Sequence, residues 1–223
     1  MPWLSRTGAI AAAVGTASAL VVVLLYKNRR SFLAYIESKR QSISQAVRTK
    51  KSGYKVLILG LQGCGKTTVL KDLAAAAQPS DTEKAPSSPV PTHGFKVMHI
   101  QKGGTTYDLW EVGGSGPYRQ YWDQFYENVD LLVFVVDSSP NRKVLQEAYE
   151  QLNKTLADAR LENVAVLIVA NKQDLGGALT PLEVANEISL DSSKHRHQAV
   201  GCANNAEAQA KVHKIMFRMC EEC

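Results

Sequence analysis

The residues that could do chemistry begin at Gly60-Leu61-Gln62-Gly63-Cys64-Gly65-Lys66-Thr67-Thr68, where a glycine, four residues and then Gly65-Lys66-Thr67 fall in one run. That spacing suits a phosphate-binding loop, in which backbone N–H groups curl around anionic oxygens at the positive end of a helix. Glycine is required because a β-carbon would hinder the close approach. In this reading Lys66 reaches the β- and γ-phosphates, and the Thr67 hydroxyl completes the coordination of a Mg²⁺ ion. The bland alternative is a glycine-rich turn that happens to carry Lys-Thr. The apolar run Val56-Leu57-Ile58-Leu59 before it and the helix-like Val69-Leu70-Lys71-Asp72-Leu73-Ala74 after it favour the loop, because they set it between a buried strand and a helix.

A second group, Asn171-Lys172-Gln173-Asp174, follows another apolar run, Val164 to Ala170. The Asp174 carboxylate can accept from N1–H and the 2-amino group of guanine, a donor pair that adenine does not present. Asn171 would bond N7 and brace the phosphate loop, and the Lys172 stem would cover the base. Gly201-Cys202-Ala203 falls where a further loop can offer the Ala203 N–H to guanine O6. Read alone, such a tetrapeptide on a surface turn means little; at the end of a buried strand, downstream of a phosphate loop, it points to guanine nucleotide.

These groups need a scaffold, and the rest of the pattern supplies one. Phe95 to Ile100 and Thr105 to Val112 are strand-like and meet at Lys102-Gly103-Gly104, a hairpin signal. Leu131 to Val136 is uninterruptedly apolar, as a central parallel strand is, and Gln198 to Cys202 is a weaker strand. Helices are expected at about Asn141 to Ala159, Pro181 to Ile188 and Asn205 to Cys220; the second opens with the capping box Thr180-Pro181-Leu182-Glu183. Gln78 to Pro91 reads as a proline-rich loop. Alternating strands and helices imply an α/β fold, a doubly wound, mostly parallel six-stranded sheet flanked by helices, with ligands at the C-terminal ends of the strands.

The chain has 223 residues, 45% hydrophobic, with a formal charge of +5. The excess lies between Lys27 and Lys55, where Lys27, Arg29, Arg30, Lys39, Arg40, Arg48, Lys50, Lys51 and Lys55 face only Glu37. The organisation expected is a short tail over 1–7, a transmembrane helix over 8–26, a basic juxtamembrane linker over 27–53 and one domain over 54–223. Gly8 to Tyr26 carries no charge and is close to the length that crosses a hydrocarbon core. A cleaved signal peptide and a buried core helix are the rival readings. The cationic flank favours an uncleaved anchor with the domain in the cytoplasm, on the endoplasmic reticulum or the outer mitochondrial membrane. Ala11, Gly15 and Ala19 allow weak self-association of such helices. Because the basic segment then has a membrane explanation, nucleic acid is not expected as a partner. Of the four cysteines, Cys64, Cys202, Cys220 and Cys223, none forms a disulfide framework or a complete zinc site.

Gly60 to Thr68, Pro91-Thr92-His93-Gly94-Phe95, Trp110-Glu111-Val112-Gly113-Gly114, Phe134-Val135-Val136-Asp137-Ser138, Ala170-Asn171-Lys172-Gln173-Asp174-Leu175 and Cys202-Ala203 together resemble the ADP-ribosylation-factor-like branch of the Ras-type small GTPases. The likeness runs from Tyr54 to about Met219, and the apolar N-terminus resembles the transmembrane subgroup. The resemblance implies a P-loop GTPase fold, GTP or GDP with Mg²⁺ as ligands, and switching between nucleotide states. Gly60, Gln62, Gly63, Cys64, Gly65, Lys66, Thr67, Thr68, Thr92, Gly114, Asn171, Lys172, Asp174, Cys202 and Ala203 would contact nucleotide. Thr67 and Thr92 would meet the metal, with Glu111 behind its waters. The Thr92 backbone and the Gly114 N–H would sense the γ-phosphate, and the hairpin from about Phe95 to Trp110 would shift between states. Phe95 and Trp110 would form part of an effector surface or, equally, pack in the core. Cytosolic effectors, an exchange factor and an activating protein are the implied partners.

Two positions depart from the family pattern. The usual Asp before Val-Gly-Gly is Glu111, so contact with the magnesium waters falls to a longer side chain or is not made. The glutamine that normally follows Gly-Gly and orients the attacking water is Ser115, whose hydroxyl is roughly 2–3 Å shorter in reach and cannot offer an amide donor and a carbonyl acceptor together. Gln62, Gln120 and Gln124 are the other amides that could serve. Intrinsic hydrolysis is therefore expected to be slow or partner-dependent, in a membrane-anchored switch. The rivals are a conventionally hydrolysing GTPase and a pseudo-GTPase adaptor.

Overall fold

The computed structural model describes residues 53–77, 92, 94–188 and 195–222, all within one compact unit, Ser52–Cys223. Strand β1 (Gly53–Leu59) leads through the glycine-rich loop into helix α1 (Lys66–Ala77). The hairpin of β2 (Phe95–Lys102) and β3 (Thr105–Val112) follows, turning at Gly103 and Gly104. Then come β4 (Leu131–Asp137), α3 (Arg142–Leu156), β5 (Ala165–Asn171), α4 (Pro181–Ile188), β6 (His197–Gly201) and α5 (Ala206–Glu221). A short helix α2 (Gly116–Arg119) and a 3-10 turn over Trp122–Phe125 separate β3 from β4.

The six strands form one sheet in the order β2-β3-β1-β4-β5-β6, with only the edge pair β2–β3 antiparallel. This is the expected six-stranded, mostly parallel sheet. Why the centre is parallel is legible in the residues: β4 (LLVFVVD) and β5 (AVLIVAN) are buried at every position but the last, so both faces are covered by helices. The switch from apolar to polar at Asp137 and Asn171 marks where each strand leaves the core. Burying a Leu, Ile or Phe in these runs contributes about 1.5–3 kcal/mol each, and Leu132, Phe134, Leu167 and Ile168 are fully buried.

Local signals set the helix ends. The Asn141 side chain accepts from Val144 N, which starts α3 one residue inside the expected boundary. The helix stops at Leu156, short of the expected Ala159, because Asp158 begins a separate 3-10 turn by accepting from Arg160 N. At α4 the capping box closes in both directions: Thr180 N donates to Glu183 Oε2 at 2.8 Å, and Glu183 N donates to Thr180 Oγ1 at 3.3 Å.

Among the described residues no helix is long and apolar enough to cross a membrane. That finding overturns the localisation as a single-pass membrane protein. The longest of the described helices, α5, buries one face only and carries Lys211, Lys214 and Arg218 along its length. The apolar segment 8–26, residues 27–52 of the linker 27–53 and the whole proline-rich loop 78–91 lie outside the described residues.

Candidate functional site

The C-terminal ends of the parallel strands open into a cleft of about 1020 Å³. It gathers Gln62, Gly63, Gly65, Lys66, Thr67, Thr68, Thr92, Gly114, Asn171, Lys172, Asp174, Cys202 and Ala203, together with Glu111 and Ser115. Gly60 and Cys64 lie behind the loop, not on its surface: the Gly60 carbonyl accepts from Lys66 Nζ at 2.9 Å, and Cys64 is buried. Burial pushes the Cys64 thiol up despite the neighbouring Lys66 ammonium, so it stays neutral.

The glycine loop is held from two sides. Lys66 Nζ donates to the Gly60 and Leu61 carbonyls at 2.9 and 2.8 Å, which stretches the side chain back over the loop and centres its charge there. From the other side Asn171 Nδ2 donates to the Cys64 carbonyl at 2.9 Å, a brace spanning 107 residues of sequence. Gly65 makes that brace possible. Its φ of +95° suits glycine, and a β-carbon there would stand 2.1 Å from Asn171 Nδ2. Gly114 is constrained by approach: a β-carbon would lie 2.2 Å from the Gly60 carbonyl oxygen and 2.6 Å from Lys66 Nζ. Gln62 N donates to the Gly114 carbonyl at 3.0 Å, so the loop after β3 rests directly on the phosphate loop.

Beyond Asn171 the chain turns through Lys172, whose φ is +66°. Its ammonium pairs with Asp137 at 2.6 Å, the last residue of β4. Although burial opposes it, the Lys172 bond and the Ser139 N–H hold the Asp137 carboxyl below its usual range. Gln173 ties the same turn to its neighbours: its side-chain amide donates to Ser138 Oγ and the Leu179 carbonyl, both at 2.7 Å, and its backbone N–H donates to the Cys202 carbonyl at 3.1 Å. Three strand ends are thus locked together, and Asp174 stands exposed at the cleft. Cys202 is buried beneath; burial, with a contribution from Asp72, pushes its thiol up to about 11.

On the opposite side Thr67 Oγ1 and Thr92 Oγ1 stand 3.1 Å apart. Both donate to Glu111 Oε1, at 2.5 and 3.0 Å. The three residues come from α1, the segment before β2, and the end of β3. These are hard oxygen donors of the kind that hold Mg²⁺. Ser115 lines the cleft at the N-terminus of α2, where its side chain makes no capping bond. Of the other amides considered, Gln120 donates to the Pro117 carbonyl and Gln124 to Asp123, and only Gln62 lines the cleft.

Lys71, Asp72, Lys96 and Asn204 also line the cleft, and sequence reasoning did not single them out. A signal for Asp72 was present, four residues after Thr68 on the same helix and hence one turn along its face. Asp72 Oδ2 is buried with no hydrogen-bond partner, and burial raises that carboxyl above its usual value. Of the two aromatics with an open assignment, Trp110 is buried; it stacks on Phe95 at 5.9 Å, and both rings meet Phe125. Trp110 accordingly packs in the core.

Comparison with known proteins agrees with this architecture. The sequence model of the ADP-ribosylation factor family matches residues 40–223. An ADP-ribosylation factor-like protein 2 from Arabidopsis thaliana is 38% identical over 164 residues, covering 73% of this chain and 84% of that protein. An ADP-ribosylation factor-like protein 3 from Chlamydomonas reinhardtii is 32% identical over 155 residues, with 70% and 82% covered. Among solved structures, the Arl6 BBS3 small GTPase from Trypanosoma brucei with bound nucleotide analogue GppNp is similar with a TM-score of 0.62 at 26% identity, covering 77% of this chain and 97% of that one.

Proposed function

The chain belongs to the ADP-ribosylation factor family of small GTPases, and on that premise we propose a GTP-binding switch that holds guanine nucleotide firmly, recruits a protein effector in the GTP state and hydrolyses GTP slowly until a partner assists. Asp174 selects guanine, Asn171 braces the loop, and Ala203 N–H meets the base oxygen. Lys66 and the loop N–H groups hold the phosphates, while Thr67 and Thr92 hold Mg²⁺, which would neutralise charge on the β- and γ-phosphates. The Gly114 N–H reads the γ-phosphate; loss of that phosphate frees the loops around Thr92 and Gly114. An exchange factor and an activating protein complete the cycle.

The observation that carries this reading is the contrast within one cleft. The base and phosphate side is braced by Asn171, Lys172 and Gln173, whereas the position next to Gly114 is filled by Ser115. Hydrolysis depends on positioning the attacking water and on stabilising charge, and a serine hydroxyl is poorly placed for the first. Base recognition is tested by Asp174→Asn, which reverses the hydrogen-bond demand at guanine N1. Measured by competition, the preference should move from guanine toward xanthine nucleotides. An unchanged preference would mean that the base lies elsewhere, and failure of the unaltered protein to bind any guanine nucleotide with Mg²⁺ would favour an adaptor.

A further inference from the structure

Glu111 reaches further into the cleft than an aspartate at the same strand position can. Its Oε1 lies 2.5 Å from Thr67 Oγ1 and 3.0 Å from Thr92 Oγ1, and those hydroxyls are 3.1 Å from each other. Three oxygens at these separations make one triangular face. In an octahedron with metal–oxygen bonds of about 2.0–2.1 Å, adjacent ligands stand about 2.9 Å apart. Two of the three separations match that edge and the third is shorter, so the face is close in size to one that Mg²⁺ takes.

The charge on Glu111 makes a second, independent argument. The residue is 1% exposed, and its Oε2 is buried with no hydrogen-bond partner. Among the described residues the hydrogen-bond partners of this buried carboxyl are two neutral hydroxyls on one oxygen and none on the other, an arrangement that is costly unless a cation completes it. Lys96, directly across the β2–β3 pair, bonds neither carboxylate oxygen, and Lys66 directs its ammonium at the Gly60 and Leu61 carbonyls.

We propose that Glu111 is a direct ligand of the divalent cation, completing with Thr67 and Thr92 a three-oxygen face in place of a contact made through water. This rests on the switch reading above and specifies its metal. A carboxylate inside the coordination shell removes one water and adds an anionic bond.

The test uses the full chain, labelled with glutamate carrying ¹³C at the side-chain carboxyl and loaded with a non-hydrolysable GTP analogue and Mn²⁺, and separately with Mn²⁺ alone. Electron–nuclear double resonance should find a ¹³C coupling of the size given by a directly bound carboxylate, absent in Glu111→Gln. Counting bound water with H₂¹⁷O should give one more water in Glu111→Asp than in the unaltered protein. Mn²⁺ affinity in Glu111→Gln should fall by more than the about 10–100-fold typical of an outer-shell partner. No ¹³C coupling, with equal water counts in the two proteins, would overturn the proposal; the coupling in the unaltered protein decides the matter even if a variant fails to fold. Mn²⁺ that couples to ¹³C while guanine nucleotide does not bind would sink the switch reading and leave the ligand assignment standing. No bound Mn²⁺ in either condition overturns both.

Discussion

The two sides of the cleft are built by different means. On the base side, side chains cross between chain segments: Asn171 to the Cys64 carbonyl, Lys172 to Asp137, Gln173 to Ser138 and Leu179. On the γ-phosphate side the glycine pair is held mainly through backbone groups: Gln62 N donates to the Gly114 carbonyl and Gly113 N to the Gly94 carbonyl at 2.8 Å, with one side chain, the Trp122 indole Nε1, donating to the Gly113 carbonyl at 2.9 Å. A side-chain lattice fixes a recognition surface before the ligand arrives. Backbone contacts around glycines leave a segment able to exchange one set of partners for phosphate oxygens. The difference suits the proposed switch, in which the base would stay held while the third phosphate comes and goes.

The sharpest way to break this contrast is Gly65→Ala. The added β-carbon would stand 2.1 Å from Asn171 Nδ2 at a φ of +95°. Strain of about 1–3 kcal/mol and loss of the brace, worth about 0.5–1.5 kcal/mol, fall on the base side. Guanine-nucleotide affinity by titration calorimetry should drop by about 10–1000-fold. An affinity within a factor of about two of the unaltered protein would mean that the brace does not govern the loop.

A smaller effect is expected at Lys172→Ala. Asp137 is depressed below 3.8 in the folded protein, so it contributes stability that is present above about pH 4 and is lost as the pH falls through its folded pKa. Removing the ammonium removes the leading interaction that depresses it and leaves those of Ser139. Lys172 is 35% exposed, which limits the loss near neutral pH to about 0.5–1 kcal/mol. Thermal unfolding followed against pH should show the two proteins converging at low pH, where Asp137 is protonated in both. A difference that stays constant to pH 2 would place the effect elsewhere.

What the sequence made legible follows from what is local. β4 and β5 are continuous apolar runs ended by polar residues, α4 begins with a closed capping box, and Asn171 follows its strand directly, so each could be read without the fold. Residues 116–125 could not. Their four-residue helix and 3-10 turn are too short for any period to show, and Trp122 and Phe125 are fixed by partners distant in sequence, Gly113, Phe134 and Phe95. Glu111 was noticed as a departure, yet its meeting with Thr67, 44 positions away, depends on the register of β3 beside β1. The membrane assignment rested on residues 8–26 and the cationic flank at Lys27, Arg29 and Arg30, all outside the described residues, and no described helix supports it.

The central claim, that the cleft is built to bind rather than to hydrolyse, is tested most directly by single-turnover GTP loss in the purified protein and in Ser115→Gln. The unaltered protein should retain bound GTP while the glutamine variant loses it about 10-fold faster or more, as expected when a positioned amide orients the attacking water. Rapid GTP loss by the unaltered protein, with no gain from glutamine, would contradict the account.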